Sequence, residues 1–154
     1  SSSFEEQDEK SKRCKRCGFE YYLNPSAAVA AFVLNSKGQL LTLRRSKAPA
    51  KGTLDLPGGF ADIGETIDEA LMREVKEETG LMVDDLIRVG VFDAVDRDPR
   101  ERIITVAYYT ILAKFVEVRG LDDAAQARWF PLTDLPALAF DHDEILRETM
   151  RLIG

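Results

Sequence analysis

Apolar and polar positions along this chain alternate between two periods, one suited to strands and one to helices. Ala27 to Leu34 is an unbroken run of small and β-branched apolar residues. Asn35-Ser36-Lys37-Gly38 then reads as a turn, and Gln39 to Arg44 as a second strand, so the pair predicts a hairpin. Lys47 to Thr53 carries Pro and Gly and reads as a loop. Leu54-Asp55-Leu56 is a short strand ended by Pro57-Gly58-Gly59, where glycine lets backbone approach a ligand. Between Thr66 and Gly80 the period changes: Ile67, Ala70, Leu71 and Val75 fall on one face of a helix. Thr66 with Glu69 three residues on predicts a capping box, and Gly80 marks the end. Asp85 to Val95 and Ile103 to Val116 are β-rich, and the charged loop between them, Asp96-Arg97-Asp98-Pro99-Arg100-Glu101, is suited to line a ligand site. Arg128-Trp129-Phe130 reads as a last strand. Asp141 to Ile153 has helical spacing at Ile145, Leu146, Met150 and Ile153. Residues 1 to 12 are polar without periodicity, which predicts a mobile or truncated start. This order of strands and two helices predicts an α/β fold with a mixed sheet between helices.

The helix after Gly59 carries the candidate chemistry. Glu74, Glu77 and Glu78 stand at i, i+3 and i+4, so their carboxylates project from one face about a turn apart, opposite the apolar side. Such a concentration of like charge is tolerable where hard cations sit among the oxygens, and Mg²⁺ suits a few carboxylates plus phosphate and water. The spacing therefore predicts a metal and diphosphate site.

The stretch from Gly59, through Glu65 after five intervening residues, to Arg73-Glu74-Val75-Lys76-Glu77-Glu78-Thr79-Gly80-Leu81 resembles the Nudix box at every defined position. LDLPGGF before it and ARWFPL with LPALAFDH after it extend the resemblance from about Ala27 to Phe140. The resemblance implies the Nudix α/β/α sandwich with a mixed β-sheet. It also implies Glu74, Glu77 and Glu78, with the Gly59 carbonyl, as ligands of Mg²⁺ or Mn²⁺, and Arg73 with Glu65 as a supporting pair. Glu74 and Glu78 take catalytic parts in that scheme. A further acid outside the box often ligates metal or acts as general base in the family. Six residues before the tryptophan, that position is Asp123, with Asp122, Glu117 and Glu101 as competitors and Glu74 as the base within the box.

RCKRCGFEYYLNP, Arg13 to Pro25, resembles the second half of a zinc ribbon that precedes some Nudix domains. Cys14 and Cys17 are the only cysteines. Two thiolates fall short of the four ligands of a structural site, so zinc would need the missing half of the ribbon. The expected organisation is an N-terminal segment over residues 1–25 and a Nudix hydrolase domain over residues 26–154.

Length and charge narrow the function. The 154 residues, 45% apolar, suit one globular domain. A net charge of −6 and an isoelectric point near 4.9 leave no basic surface for polymeric nucleic acid. Arg44, Arg45 and Arg73 are the candidates to favour a small polyphosphate locally. The Ser/Glu/Lys-rich start has no apolar signal core and no stretch is long enough to span a bilayer, so no membrane partner and a cytoplasmic location are expected. A homodimer is left open. Phe92, Tyr108, Trp129 and Phe140 could stack on a nucleobase, but apolar strand positions usually fill cores, so they are read as core residues, and the single histidine, His142, as a helix cap or surface residue.

The leading reading is an Mg²⁺-dependent pyrophosphohydrolase in which water cleaves a nucleoside diphosphate linked to another moiety, ADP-ribose-like or dinucleotide. The SQPWPFP-type sequence of NADH-cleaving relatives is absent after Gly80, and Pro99 falls 18 residues after Leu81, later than in typical ADP-ribose cleavers. The rivals are a pyrophosphatase that removes aberrant nucleoside triphosphates and a non-catalytic module that senses a nucleotide.

Overall fold

The computed structural model describes residues 4–6, 11–22, 24–118 and 127–154. Its organising element is the nine-residue strand Ser26–Leu34 (β4), whose apolar run is buried on both sides. Val29, Ala31 and Val33 face one hydrophobic cluster, and Ala30, Phe32 and Leu34 face another. A strand with two buried faces needs a layer on each side, which explains why its sequence is continuously apolar rather than alternating.

Helix Ile67–Thr79 (α1) covers the first face with Ala70, Leu71 and Val75. Helix His142–Ile153 (α2) covers the other with Ile145. In the sheet between them, β4 pairs antiparallel with Gln39–Arg44 (β5) and parallel, over its whole length, with Ile103–Ile111 (β9). Strand Ile87–Phe92 (β8) flanks β9 through a bulge between Arg88 and Gly90, and Ala127–Pro131 (β10) flanks β5. Two short strands complete the seven, Leu54–Asp55 (β6) on β5 and Gly58–Phe60 (β7) on β4. The expected α/β sandwich with a mixed sheet is what forms.

Start and stop signals of α1 hold as read. The Thr66 side chain accepts the Glu69 N–H while the Glu69 carboxylate accepts the Thr66 N–H, and Gly80 closes the helix at φ 79°. Both satisfy backbone groups that the helix ends leave without partners.

Three expectations need correction. The polar start is not without structure: Phe4–Glu6 (β1), Ser11–Cys14 (β2) and Glu20–Tyr22 (β3) form a separate antiparallel sheet. Backbone pairing and the Arg13–Glu5 ion pair organise it, so no apolar periodicity marks it in the sequence. Pro57-Gly58-Gly59 does not simply end a strand, because Gly58 and Gly59 join Phe60 in β7 against β4. A Cβ on Gly58 would lie 2.0 Å from the Val29 carbonyl oxygen, so only glycine lets the strand come this close.

The third correction is His142. Its side chain is 12% exposed, and its Nδ1 accepts the Leu56 N–H at 3.2 Å, joining the end of β6 to the first turn of α2. Burial pushes its pKa below the ordinary value, with Arg97 and Arg45 acting in the same sense and Asp55 and Asp141 opposing them. Asp141, at the cap position, makes no capping bond. Both its oxygens instead accept from Arg97, at 2.6 and 2.7 Å.

Gly58→Ala is expected to lower unfolding free energy by about 3 kcal/mol or more, because the obstructing atoms are backbone. Gly90→Ala, with no atom near its added Cβ, should stay within about 0.5 kcal/mol of the parent. Urea denaturation of both checks this, and equal losses would refute the packing account. His142 sets a pH dependence. Its folded pKa lies below the unfolded 6.5, so the unfolded chain binds the extra proton as pH falls through that value. Stability is full above it and declines below, by at most about 1.4 kcal/mol per pH unit. His142→Asn, which keeps an acceptor but cannot titrate, should lose less between pH 7 and pH 5. Parallel losses in denaturation midpoint would refute this assignment.

Candidate functional site

The apolar side of α1 is fixed by the core, which leaves its acidic side at the end of β7. Arg73 organises that side. Its Nε and Nη2 donate to both Glu65 oxygens, at 3.1 and 2.7 Å, and its Nη1 donates to Glu74 at 2.7 Å and Glu77 at 3.3 Å. Nη2 also donates to the Phe60 carbonyl at 3.1 Å and lies 3.4 Å from Asp62. Arg73 and Glu65 are thus joined as a bidentate pair, which fixes orientation better than a single contact. The Arg73 hydrogen bonds, followed by the Asp62 N–H, hold the Glu65 carboxyl down at about 2.

Glu74 stands differently. Burial raises its pKa, and the bond and charge of Arg73 oppose that rise without cancelling it. A Cβ on Gly59 would fall 2.6 to 2.8 Å from the Glu74 carboxylate, so glycine lets backbone and carboxylate meet there. Glu78 accepts the Gly58 N–H at 2.9 Å, while Glu77 is 61% exposed. The chain therefore brings Gly59, Glu65, Arg73, Glu74, Glu77 and Glu78 to one edge of the sheet. Asp122 and Asp123 lie outside the described residues. Glu101 and Glu117 are exposed, and Glu101 accepts the Ser26 hydroxyl at 2.7 Å.

Among the described residues no three Asp, Glu, His or Cys side chains already converge as a metal site, since Arg73 stands between the carboxylates. The donor set fits a hard divalent cation. Asp62, Glu65, Glu74 and Glu77 surround one guanidinium, so negative charge is in excess, and the oxygens are of the type Mg²⁺ and Mn²⁺ accept.

Gly59 also lines a cleft of about 160 Å³ between β4, β7, the loop after β8 and the start of α2. Arg45, Asp55, Asp98, Arg100, Phe140 and His142 form its polar and aromatic walls. Arg45 is ion-paired with Asp55 at 2.8 Å, and Arg100 holds both Asp98 oxygens, at 2.9 and 2.7 Å. Asp55 Oδ1 is buried without a hydrogen bond, 3.7 Å from His142 Nδ1. The charged loop between β8 and β9 lines this cleft through Arg97, Asp98 and Arg100, whereas Arg44 is exposed and donates to the Gly52 carbonyl.

Of the aromatic residues read as core, Tyr108 is buried there, and Phe92 and Trp129 pack against its edges. Phe140 departs from that reading. Its backbone adopts φ 52°, and its ring carries the Arg45 guanidinium at 4.8 Å and that of Arg100 at 5.0 Å. Neither partner is near it in sequence, so no local signal separates it from a core phenylalanine.

Comparison with known proteins identifies the family. The NUDIX domain profile matches residues 24–152. An ADP-ribose pyrophosphatase of Methanocaldococcus jannaschii is 40% identical over 133 residues, 86% of this chain and 78% of that protein. An NAD-capped RNA hydrolase NudC of Pseudomonas aeruginosa is 28% identical over 130 residues, 84% of this chain and 45% of that protein. A bifunctional NMN adenylyltransferase/ADP ribose pyrophosphatase from Francisella tularensis, solved with AMP and a manganese ion, superposes with TM-score 0.76 at 27% identity. That match covers 85% of this chain and 42% of the other, so the chain spans less than half of the last two relatives. Because the profile runs from the start of β4 to the last turn of α2, with the box residues gathered at one sheet edge, this chain belongs to the Nudix hydrolase family.

Proposed function

We propose that this chain hydrolyses the phosphoanhydride of a nucleoside diphosphate linked to a second moiety, with ADP-ribose as the representative substrate. The supporting observation is the junction at Gly59, which belongs both to the cleft and to the backbone against the Glu74 carboxylate. A diphosphate laid across Gly59 would have its nucleoside in the cleft and its phosphates at the acidic edge. The 40% identical relative named as an ADP-ribose pyrophosphatase supports the same substrate class. Nudix hydrolases generally use divalent cations such as Mg²⁺.

In this reading Glu74, Glu77, Glu78 and the Gly59 carbonyl hold Mg²⁺ or Mn²⁺. The bound cation would supply charge neutralisation on the phosphate oxygens and a water more easily deprotonated than bulk water. Arg73, clamped by Glu65, holds Glu74 and Glu77 in place from the protein side. The water oxygen forms a bond to phosphorus, the anhydride P–O bond breaks, and ADP-ribose yields AMP and ribose 5-phosphate. Asp123 and Glu74 are the carboxylates assigned to take the water's proton. The catalytic unit is assigned to residues 26–154, apart from the segment with Cys14 and Cys17. The ligand set needs no binding surface for polymeric nucleic acid, and no helix among the described residues is long and apolar enough to cross a membrane.

The test is hydrolysis of ADP-ribose, NADH, dinucleoside polyphosphates and nucleoside triphosphates with Mg²⁺ or Mn²⁺. ADP-ribose is expected to turn over only with a divalent cation and to stop with chelator. Glu77→Gln and Glu78→Gln should each lower kcat at least about a hundredfold, near 2.7 kcal/mol of barrier, with the fold retained. Near-normal turnover by both variants would remove the metal-site assignment, and preference for a nucleoside triphosphate would remove the substrate.

A further inference from the structure

We infer that Arg100 is the platform on which the ligand's planar base stacks, with Phe140 as the support beneath it. The inference rests on the proposed nucleotide reading and adds a specificity-determining residue to it.

Arg100 is held as a flat plate rather than a free charge. Its backbone N–H, Nε and Nη2 all donate to Asp98, at 2.9, 2.9 and 2.7 Å, and the Asp98 side chain is only 4% exposed. The guanidinium lies over the Phe140 ring, its carbon 5.0 Å from the centroid. The side chain is nevertheless 43% exposed and lines the cleft, so the guanidinium is open to a ligand there. Arg45 also lies over the Phe140 ring, 4.8 Å from the same centroid, so the ring is engaged by two guanidinium groups and Arg100 is the flat group that lines the cleft with an exposed side chain.

Backbone geometry points the same way. Phe140 holds φ 52°, a conformation costly for a large side chain and concentrated where function requires it. That backbone aims the ring at the two guanidinium groups instead of into the core. The loop bearing Arg100 is fixed by Arg97, whose 4%-exposed side chain bonds both Asp141 oxygens and the Thr105 hydroxyl. The platform is therefore assembled before a ligand arrives.

Charge argues against a phosphate at this position. Arg100 is matched by Asp98, Arg45 by Asp55 and Arg97 by Asp141, so the cleft wall is close to neutral. Burial tends to raise the Asp98 pKa, but the Arg100 bonds outweigh it and keep the carboxylate ionised below its ordinary range. What remains is planarity: a delocalised guanidinium stacks on flat rings, whereas an ammonium offers a point charge.

AMP and ribose 5-phosphate, the two halves of the proposed substrate, separate base from phosphate and sugar. Their binding is measured by calorimetry in chelator, so no turnover is needed. The wild type should bind AMP at least tenfold more tightly. Arg100→Lys, which keeps the charge, should weaken AMP about tenfold, equivalent to about 1.4 kcal/mol, and leave ribose 5-phosphate within twofold. Phe140→Leu should weaken AMP in the same selective way, and thermal melting confirms that both variants fold. Equal weakening of both ligands by Arg100→Lys, unchanged AMP binding, or no wild-type preference for AMP would each overturn the inference. Selective, Arg100-dependent AMP binding without ADP-ribose turnover would instead support the platform and refute the proposed reaction.

Discussion

Close approach of the Gly58–Phe60 backbone to its neighbours is the constraint on which fold and site both depend. On one side Gly58 lies so near the Val29 carbonyl that any Cβ would overlap it, and on the other Gly59 meets the Glu74 carboxylate. The first contact joins β7 to the doubly buried strand β4; the second places the acidic side of α1 at the sheet edge. Neither residue has a side chain to absorb displacement, so an error at β7 would be transmitted to both. The Gly58 N–H also donates to Glu78, which links strand pairing directly to the orientation of a proposed ligand.

Compensation of charge differs between the two halves of the site. At the acidic edge one arginine serves several carboxylates, and the surplus negative charge favours a cation. In the cleft each arginine has its own aspartate, and the wall offers hydrogen-bonding and flat surfaces at little net charge. A nucleoside diphosphate has the matching division, with charge concentrated on the phosphates and a planar, uncharged base. The acidic balance of the chain, net −6, is thus compatible with an anionic ligand because the cation sits between protein and phosphate.

The sequence by itself determined the elements whose causes are local. Thr66, Glu69 and Gly80 mark the ends of α1 because capping involves neighbours three or four residues apart, and the positions of Leu71 and Val75 decide which side of that helix is buried. The acidic side follows by the same geometry, so the family and most candidate ligands were legible. The uninterrupted apolar run of β4 likewise marked a strand, whose burial on both faces the structure added. Only the tertiary structure decided the cleft. Asp55, Asp98, Arg100, Phe140 and His142 meet there from separate segments, and Leu56 reaches His142 across 86 residues, beyond the reach of any periodicity. His142 read as a surface residue because nothing near it in the chain reveals that Leu56 would donate to it across the core edge. Phe140 read as core because an apolar ring can be held by packing or by two guanidinium groups, and long-range pairing alone distinguishes them.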